Sequence, residues 1–234
     1  MNKRYWIFLL ALLVMADLGF TFWQNYLYPL DGDLPLIVFP APWYQQVLHD
    51  PFGWAVLSRN ELYAGTNRFF AHAAMVLYWR SVPLMAQTVL PPIESIFVAS
   101  GLFTVAVQAG LVFVLARYVR EGAGRQLDNW SNWAAAALLT PLFQTNGFNW
   151  QMGISNHAVT YTFFYALPML LLLVLLWPFY RAACRQQPLQ MRWWQFVLLV
   201  GLMVVVSFNG PVAAATAAVL LAYTGLYWAW AHLR

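Results

Sequence analysis

The chain has 234 residues, of which 62% are hydrophobic and only 9% charged, against roughly 25% charged in soluble domains. That balance excludes an ordinary soluble domain and fits a polytopic membrane protein, with apolar runs near the roughly 20 residues a helix needs to cross a bilayer. The net charge of +4 comes from singly scattered cations, eleven of the twelve being Arg, so no nucleic-acid partner is expected.

The first predicted span covers residues 5–24. Its apolar run, Tyr5 to Phe22, follows Asn2-Lys3-Arg4. The run is longer than the apolar region of a signal peptide, and no small-residue cleavage site follows, so it reads as a signal anchor. Asp17 lies inside it. An ionisable residue at such depth costs about 2.5–3.5 kcal/mol on insertion scales and needs a partner or a wet cavity. A functional site and a structural hydrogen bond to another helix both satisfy that need.

Residues 25–91 form a polar and aromatic insertion. It holds four of the eight carboxylates, His49 and His72, and Arg59, Arg68 and Arg80. Asp31-Gly32-Asp33 opens it. On an extended segment the two carboxylates point to opposite faces. Asp31 or Asp33 can serve as a catalytic general base on a sugar or lipid hydroxyl, or hold a divalent cation through hard oxygen ligands. The bland alternative is a solvated Asp-Gly-Asp turn.

Further along, Pro42 is suited to the first position of a short helix ending at His49. Asp50-Pro51-Phe52-Gly53 breaks it. Ser58 and Glu61 have capping-box spacing. Asn67 is predicted to cap a helix from Arg68 to Trp79, with Phe69, Ala73, Val76 and Leu77 on its apolar side and Arg80 closing its end. Such a helix is expected to lie flat at the membrane surface. Arg68, His72 and Arg80 are candidate substrate-binding residues for a phosphate or pyrophosphate, to which the guanidinium geometry is suited. Snorkelling to membrane lipid headgroups explains them equally well.

Five further spans are predicted at 92–116, 131–147, 159–180, 193–208 and 212–231. Glu94 sits in the first turn of the second span, where the helix dipole favours it. The third span is the weakest, cut short by Pro141, Gln144, Thr145 and Asn146; a broken helix is tolerated where it is buried or lines a cavity. The fourth, with its run Met169 to Leu176, reads as the plainest lipid-facing helix. Between them, Asn156-His157 lies in a second outer loop beside Trp150 and Gly153. His157 is a candidate substrate ligand or proton carrier, or merely a polar loop residue. The single cysteine, Cys184, rules out an internal disulfide and argues against a cysteine metal cluster.

Nine cations, from Lys3 and Arg4 through Arg117, Arg120, Arg125, Arg181, Arg185 and Arg192 to Arg234, fall on one side of these spans. The positive-inside rule then places both termini in the cytoplasm and the insertion outside. Thirteen Trp and twelve Tyr suit interfacial belts. No P-loop, dinucleotide fingerprint, zinc-protease helix or serine-hydrolase elbow is present.

The expected fold is therefore all-α: a polytopic transmembrane helix bundle forming one domain over 1–234, with an extracytoplasmic cap at 25–91 made of short interfacial helices. This layout resembles the GT-C class of membrane glycosyltransferases. The resemblance rests on span 5–24, the following Asp31-Gly32-Asp33, the cap segments 43–49 and 68–79, and the pattern Trp150, Gly153, Tyr161, Pro168. It implies transfer of a sugar from a polyprenyl-phosphate donor to an acceptor on the outer face of a bacterial inner membrane. It implies an outer-loop Asp as base and Arg68 or Arg80 on the lipid phosphate. The class usually has more spans, often a soluble domain, and commonly a second outer acidic residue that 148–158 lacks. The chain is thus expected to be the N-terminal part of a longer protein. A transporter or lipid flippase built on Asp17, or a non-catalytic subunit bound to a membrane-protein partner, stands as the alternative.

Overall fold

The computed structural model describes residues 3–124, 129–144 and 158–232, all helix, turn or loop with no strand among them. Four helices are long and apolar enough, by length and composition, to cross a membrane: Arg4–Leu27, Pro92–Gly122, Val159–Arg185 and Pro211–Ala231. They mark an integral membrane protein. In chain order the elements are α1 (Lys3–Leu27), α2 (Asp33–Val38), α3 (Pro42–His49), α4 (Trp54–Arg59), α5 (Phe69–Ala86) and α6 (Pro92–Gly122). Then come α7 (Asn129–Leu139), α8 (Pro141–Gln144), α9 (Val159–Tyr161), a π-helical turn (Thr162–Ala166), α10 (Leu167–Arg185), α11 (Trp193–Ser207) and α12 (Pro211–His232).

The centre of the bundle is α6, packed against α1, α5, α7 and α10. Close approach of α1 depends on Gly101. A Cβ there would stand 2.8 Å from the Phe22 ring and 3.1 Å from the Phe22 carbonyl oxygen. Small residues permit such backbone proximity between membrane helices. One apolar core joins Val14 and Leu18 to Val107, Leu111 and Val112, with Ala135 and Ala136 of α7. A second joins Leu34, Ile37 and Val38 of α2 to Met75 and Trp79 of α5 and to Val159 and Phe163.

Two predicted spans are shorter than a bilayer crossing. The third is interrupted at Thr140-Pro141, giving an 11-residue α7 and a 4-residue α8. The fifth is the 15-residue α11, about 22 Å long at helical rise. The lipid-facing expectation for the fourth span is corrected. In Val159–Arg185, 44% of the most apolar window is buried, against 6% for Pro211–Ala231. Leu172 and Leu175 contribute to a third core with Leu199 and Val206.

The insertion also departs from its predicted detail. Pro42 does open α3. The capping box does not form: Ser58 lies inside α4, its hydroxyl donating to the Trp54 carbonyl at 2.6 Å. Glu61 instead pairs with Arg59 at 3.0 Å. Asp50 holds the start of α4, accepting from the Trp54 and Ala55 N–H groups, each at 2.8 Å, and from the Tyr63 hydroxyl at 2.7 Å. Helix α5 runs seven residues past Trp79, with Pro83 inside it. Its buried stripe is Ala71, His72, Met75, Trp79 and Pro83, whereas Leu77, on the side expected to meet the membrane surface, is 70% exposed.

Candidate functional site

The site grows from a turn that proline imposes on the helix after residue 158. Pro168 has no N–H to donate to the carbonyl of Phe164, four residues earlier, and its ring crowds that carbonyl. The chain widens there into a π turn at Thr162–Ala166, a local form frequent at functional sites. Phe164 is thereby presented to the insertion. Its ring lies 5.3 Å from the His72 imidazole and beneath the Arg68 guanidinium, 5.2 Å from the ring centroid.

A cavity of about 380 Å³ opens at this point, lined by Tyr44, Asn67, Arg68, His72, Phe164 and Pro211 among others. Arg68 precedes α5 and His72 lies in its first turn, so one helical turn brings both to one wall. Gly65 permits the arrangement. Its φ of +74° suits glycine, and a Cβ there would meet His72 Nε2 at 3.2 Å. His72 is 2% exposed, and its Nδ1 has no hydrogen-bond partner among the described residues. Burial, then the neighbouring Arg68 charge, pushes its pKa down to about 4. The pocket therefore presents one guanidinium and one neutral imidazole, a combination suited to an anion.

Asp31 approaches the same helix one turn earlier. Its Oδ1 accepts from the N–H groups of Asp33 and Leu34, each at 3.0 Å, starting α2 as an Asp in a turn does. Its half-buried carboxylate also faces Thr160, whose N–H and hydroxyl favour the charged form. Among the described residues, neither Oδ2 nor the Thr160 hydroxyl completes a hydrogen bond of normal geometry. Burial outweighs these donors and raises the Asp31 pKa. Asp33 is exposed. The segment is not extended as expected: Gly32 has helical dihedrals and Asp33 already belongs to α2. Thr160 and Phe164 are four residues apart, about 6 Å along a helix, so Asp31 sits beside the pocket rather than in its lining.

Arg80 is not part of this group. It lies twelve residues beyond Arg68, about 18 Å along α5, and grips the C-terminal end of α2. Nε and Nη2 donate to the Val38 carbonyl at 3.2 and 3.0 Å, with Phe39 under the guanidinium at 5.6 Å. His157 lies outside the described residues, as do Trp150 and Gly153 of the sequence pattern. Among the described residues, no group of three or more His, Cys, Asp or Glu side chains gathers in a form able to hold a metal ion.

Asp17 heads a separate polar seam between the membrane helices. Gln108 Nε2 donates to Asp17 Oδ2 at 2.9 Å, and Gln144 faces the same carboxylate. Gln144 Nε2 also donates to the Thr21 hydroxyl at 2.8 Å. Among the described residues, the Oε1 atoms of Gln108 and Gln144 and the Thr104 hydroxyl are buried without hydrogen-bond partners. The sequence flagged Asp17 but not these partners. Gln144 had read only as a helix terminator, and Gln108 sits in an otherwise apolar run. Tyr44 and Phe164 were likewise missed as pocket walls; the spacing from Phe164 to Pro168 was the available signal.

No family model, curated protein or solved structure matches the chain.

Proposed function

We propose that the protein is a glycosyltransferase-like enzyme of the cell envelope, acting at the outer face of a bacterial inner membrane. In this reading six segments cross or enter the membrane, both termini are cytoplasmic, and residues 25–91 form the outer cap. The cap pocket takes the phosphate of a polyprenyl-phosphate-linked sugar. Arg68 neutralises that phosphate, and neutral His72 offers it a hydrogen bond without adding charge. The Asp31 carboxylate removes the proton from an acceptor hydroxyl. The acceptor oxygen then bonds to the anomeric carbon, the bond from that carbon to the phosphate oxygen breaks, and polyprenyl phosphate leaves. A carboxylate held partly out of water has its pKa moved toward the working pH, which suits a general base.

The observation that carries this reading is that Asp31 faces Thr160 while the Arg68–His72 pocket is lined by Phe164, one turn further along the same helical segment. Sugar transfer from a polyprenyl-phosphate donor in membranes tests it. Asp31→Asn is expected to slow transfer about 10²–10⁴-fold, the usual worth of a general base, while Asp33→Asn retains it. Undiminished transfer by Asp31→Asn and by the double variant refutes the assignment.

The polar seam at Asp17 supports a second reading, a transporter or lipid flippase. An ionisable residue at membrane depth with neighbouring unsatisfied acceptors suits a translocation path. Proteoliposome uptake that depends on Asp17, with no sugar transfer, would favour it.

A further inference from the structure

At the opposite, Arg-rich end of the bundle two cavities meet. One, of about 350 Å³, lies between the ends of α6 and α10 and is lined by Arg117, Arg120, Glu121, Trp177, Arg181 and Arg185 among others. The other, about 640 Å³, is a groove between α10 and α11 that shares Trp177, Arg181 and Arg185 and continues along Val174, Leu198 and Leu202. Polar head and apolar tail are thus parts of one continuous surface.

Among the described residues lining the smaller cavity, cations outnumber carboxylates. The one carboxylate among them, Glu121, is engaged by Arg185 through both oxygens; Nε donates to Oε1 and Nη2 donates to Oε2 at 3.0 Å. Arg117, Arg120 and Arg181 come from two helices and have no carboxylate partner among the described residues. All three line the same cavity. One wall is built firmly. Trp177, which lines both cavities, is backed edge-on by Tyr118 at 5.2 Å between centroids; Tyr118 lies tilted against Tyr180 at 4.5 Å, and the Tyr180 hydroxyl donates to the Tyr118 carbonyl at 3.1 Å.

We propose that this end of the bundle is a binding site for an anionic phospholipid. The phosphate lies among Arg117, Arg120 and Arg181, and an acyl chain lies in the groove between α10 and α11. Basic pockets between membrane helices accept such headgroups. A free phosphate would use the cavity but not the groove. The site is distant from Arg68, and its occupancy does not depend on the enzymatic reading.

Native mass spectrometry of the detergent-purified full chain tests the proposal with three probes: dioleoyl phosphatidylglycerol, dioleoyl phosphatidylcholine and inorganic phosphate. Phosphatidylglycerol is expected to be retained as a discrete 1:1 adduct, and phosphatidylcholine is not. Basic residues near an anionic lipid surface are each worth roughly fivefold in binding. Replacing Arg117, Arg120 and Arg181 together by Gln should therefore weaken the adduct about a hundredfold. Arg192→Gln, an exposed cation outside both cavities, should leave it unchanged. Leu198→Trp fills the groove and keeps every charge; it should weaken lipid retention severalfold, so the proposal stays testable if the triple variant does not fold. Equal retention of the two lipids, equal loss in Arg192→Gln, unaffected retention in Leu198→Trp, or displacement by millimolar phosphate would overturn it.

Discussion

Acidification should unfasten the cap through His72. The imidazole is 2% exposed, sits between Tyr44 and Phe164 with each ring at 5.3 Å, and has the Arg68 charge beside it. Burial first and Arg68 second lower its pKa from 6.5 to about 4. A depressed pKa means that the folded state binds its proton later than the unfolded chain does. The stability contributed by the neutral ring is complete above pH 6.5 and is lost as pH falls through about 4. One proton is worth about 1.4 kcal/mol per pH unit, so the whole window amounts to about 3 kcal/mol. Asp31 acts in the opposite sense. Its pKa is raised from 3.8, so its contribution is largest at low pH and is lost as pH rises through the folded value. A comparison of wild type with His72→Gln isolates the histidine from that opposing term. Unfolding midpoints in detergent from pH 7.5 to pH 4, with NMR titration of the His72 ring, supply the assay. The wild type should lose about 3 kcal/mol more than the variant across the window. Parallel loss in both proteins, or a ring that titrates near pH 6.5, would refute the reasoning.

Other substitutions probe the supports around the site. Gly65→Ala places a side chain at φ +74° and a Cβ 3.2 Å from His72 Nε2; left-handed strain of about 1–2 kcal/mol is expected, read as a lowered unfolding midpoint and a shifted His72 resonance. Arg80→Gln releases the Val38 carbonyl and should cost about 1–2 kcal/mol of stability, with sugar-phosphate binding unchanged at saturating lipid. Asp17→Leu strands the buried Gln108 amide and should destabilise by about 1–3 kcal/mol, whereas Asp17→Asn, which can still accept from Gln108, should stay within about 1 kcal/mol in the same detergent melt.

The helical class was legible because long apolar runs have one structural solution in a bilayer. The limits of the long helices followed from proline and polar punctuation, as at Pro92 and Pro211. The insertion was harder. Its helices are six to eighteen residues long, and tertiary contacts decide which face turns inward. The stripe at Ala71, His72, Met75 and Trp79 is chosen by packing on α2 and α6, which the spacing of Phe69, Ala73 and Leu77 alone did not reveal. Arg68 and His72 could be paired from their positions one turn apart. Arg80 is separated from them because twelve residues of helix carry it about 18 Å away, to the Val38 carbonyl. The partners of Asp17 were hidden for a different reason: Gln108 and Gln144 are 91 and 127 positions away in the sequence, and only folding joins them.

The most direct test of the enzymatic account is the affinity of the reconstituted protein for a polyprenyl phosphate, with excess phosphatidylglycerol present to occupy the Arg-rich end. Arg68→Gln should weaken binding by tenfold or more, about 1.4 kcal/mol, while Arg80→Gln binds as wild type does. Equal affinity in wild type and Arg68→Gln, or equal binding of the uncharged polyprenol, would contradict the assignment of the cap pocket to a lipid phosphate.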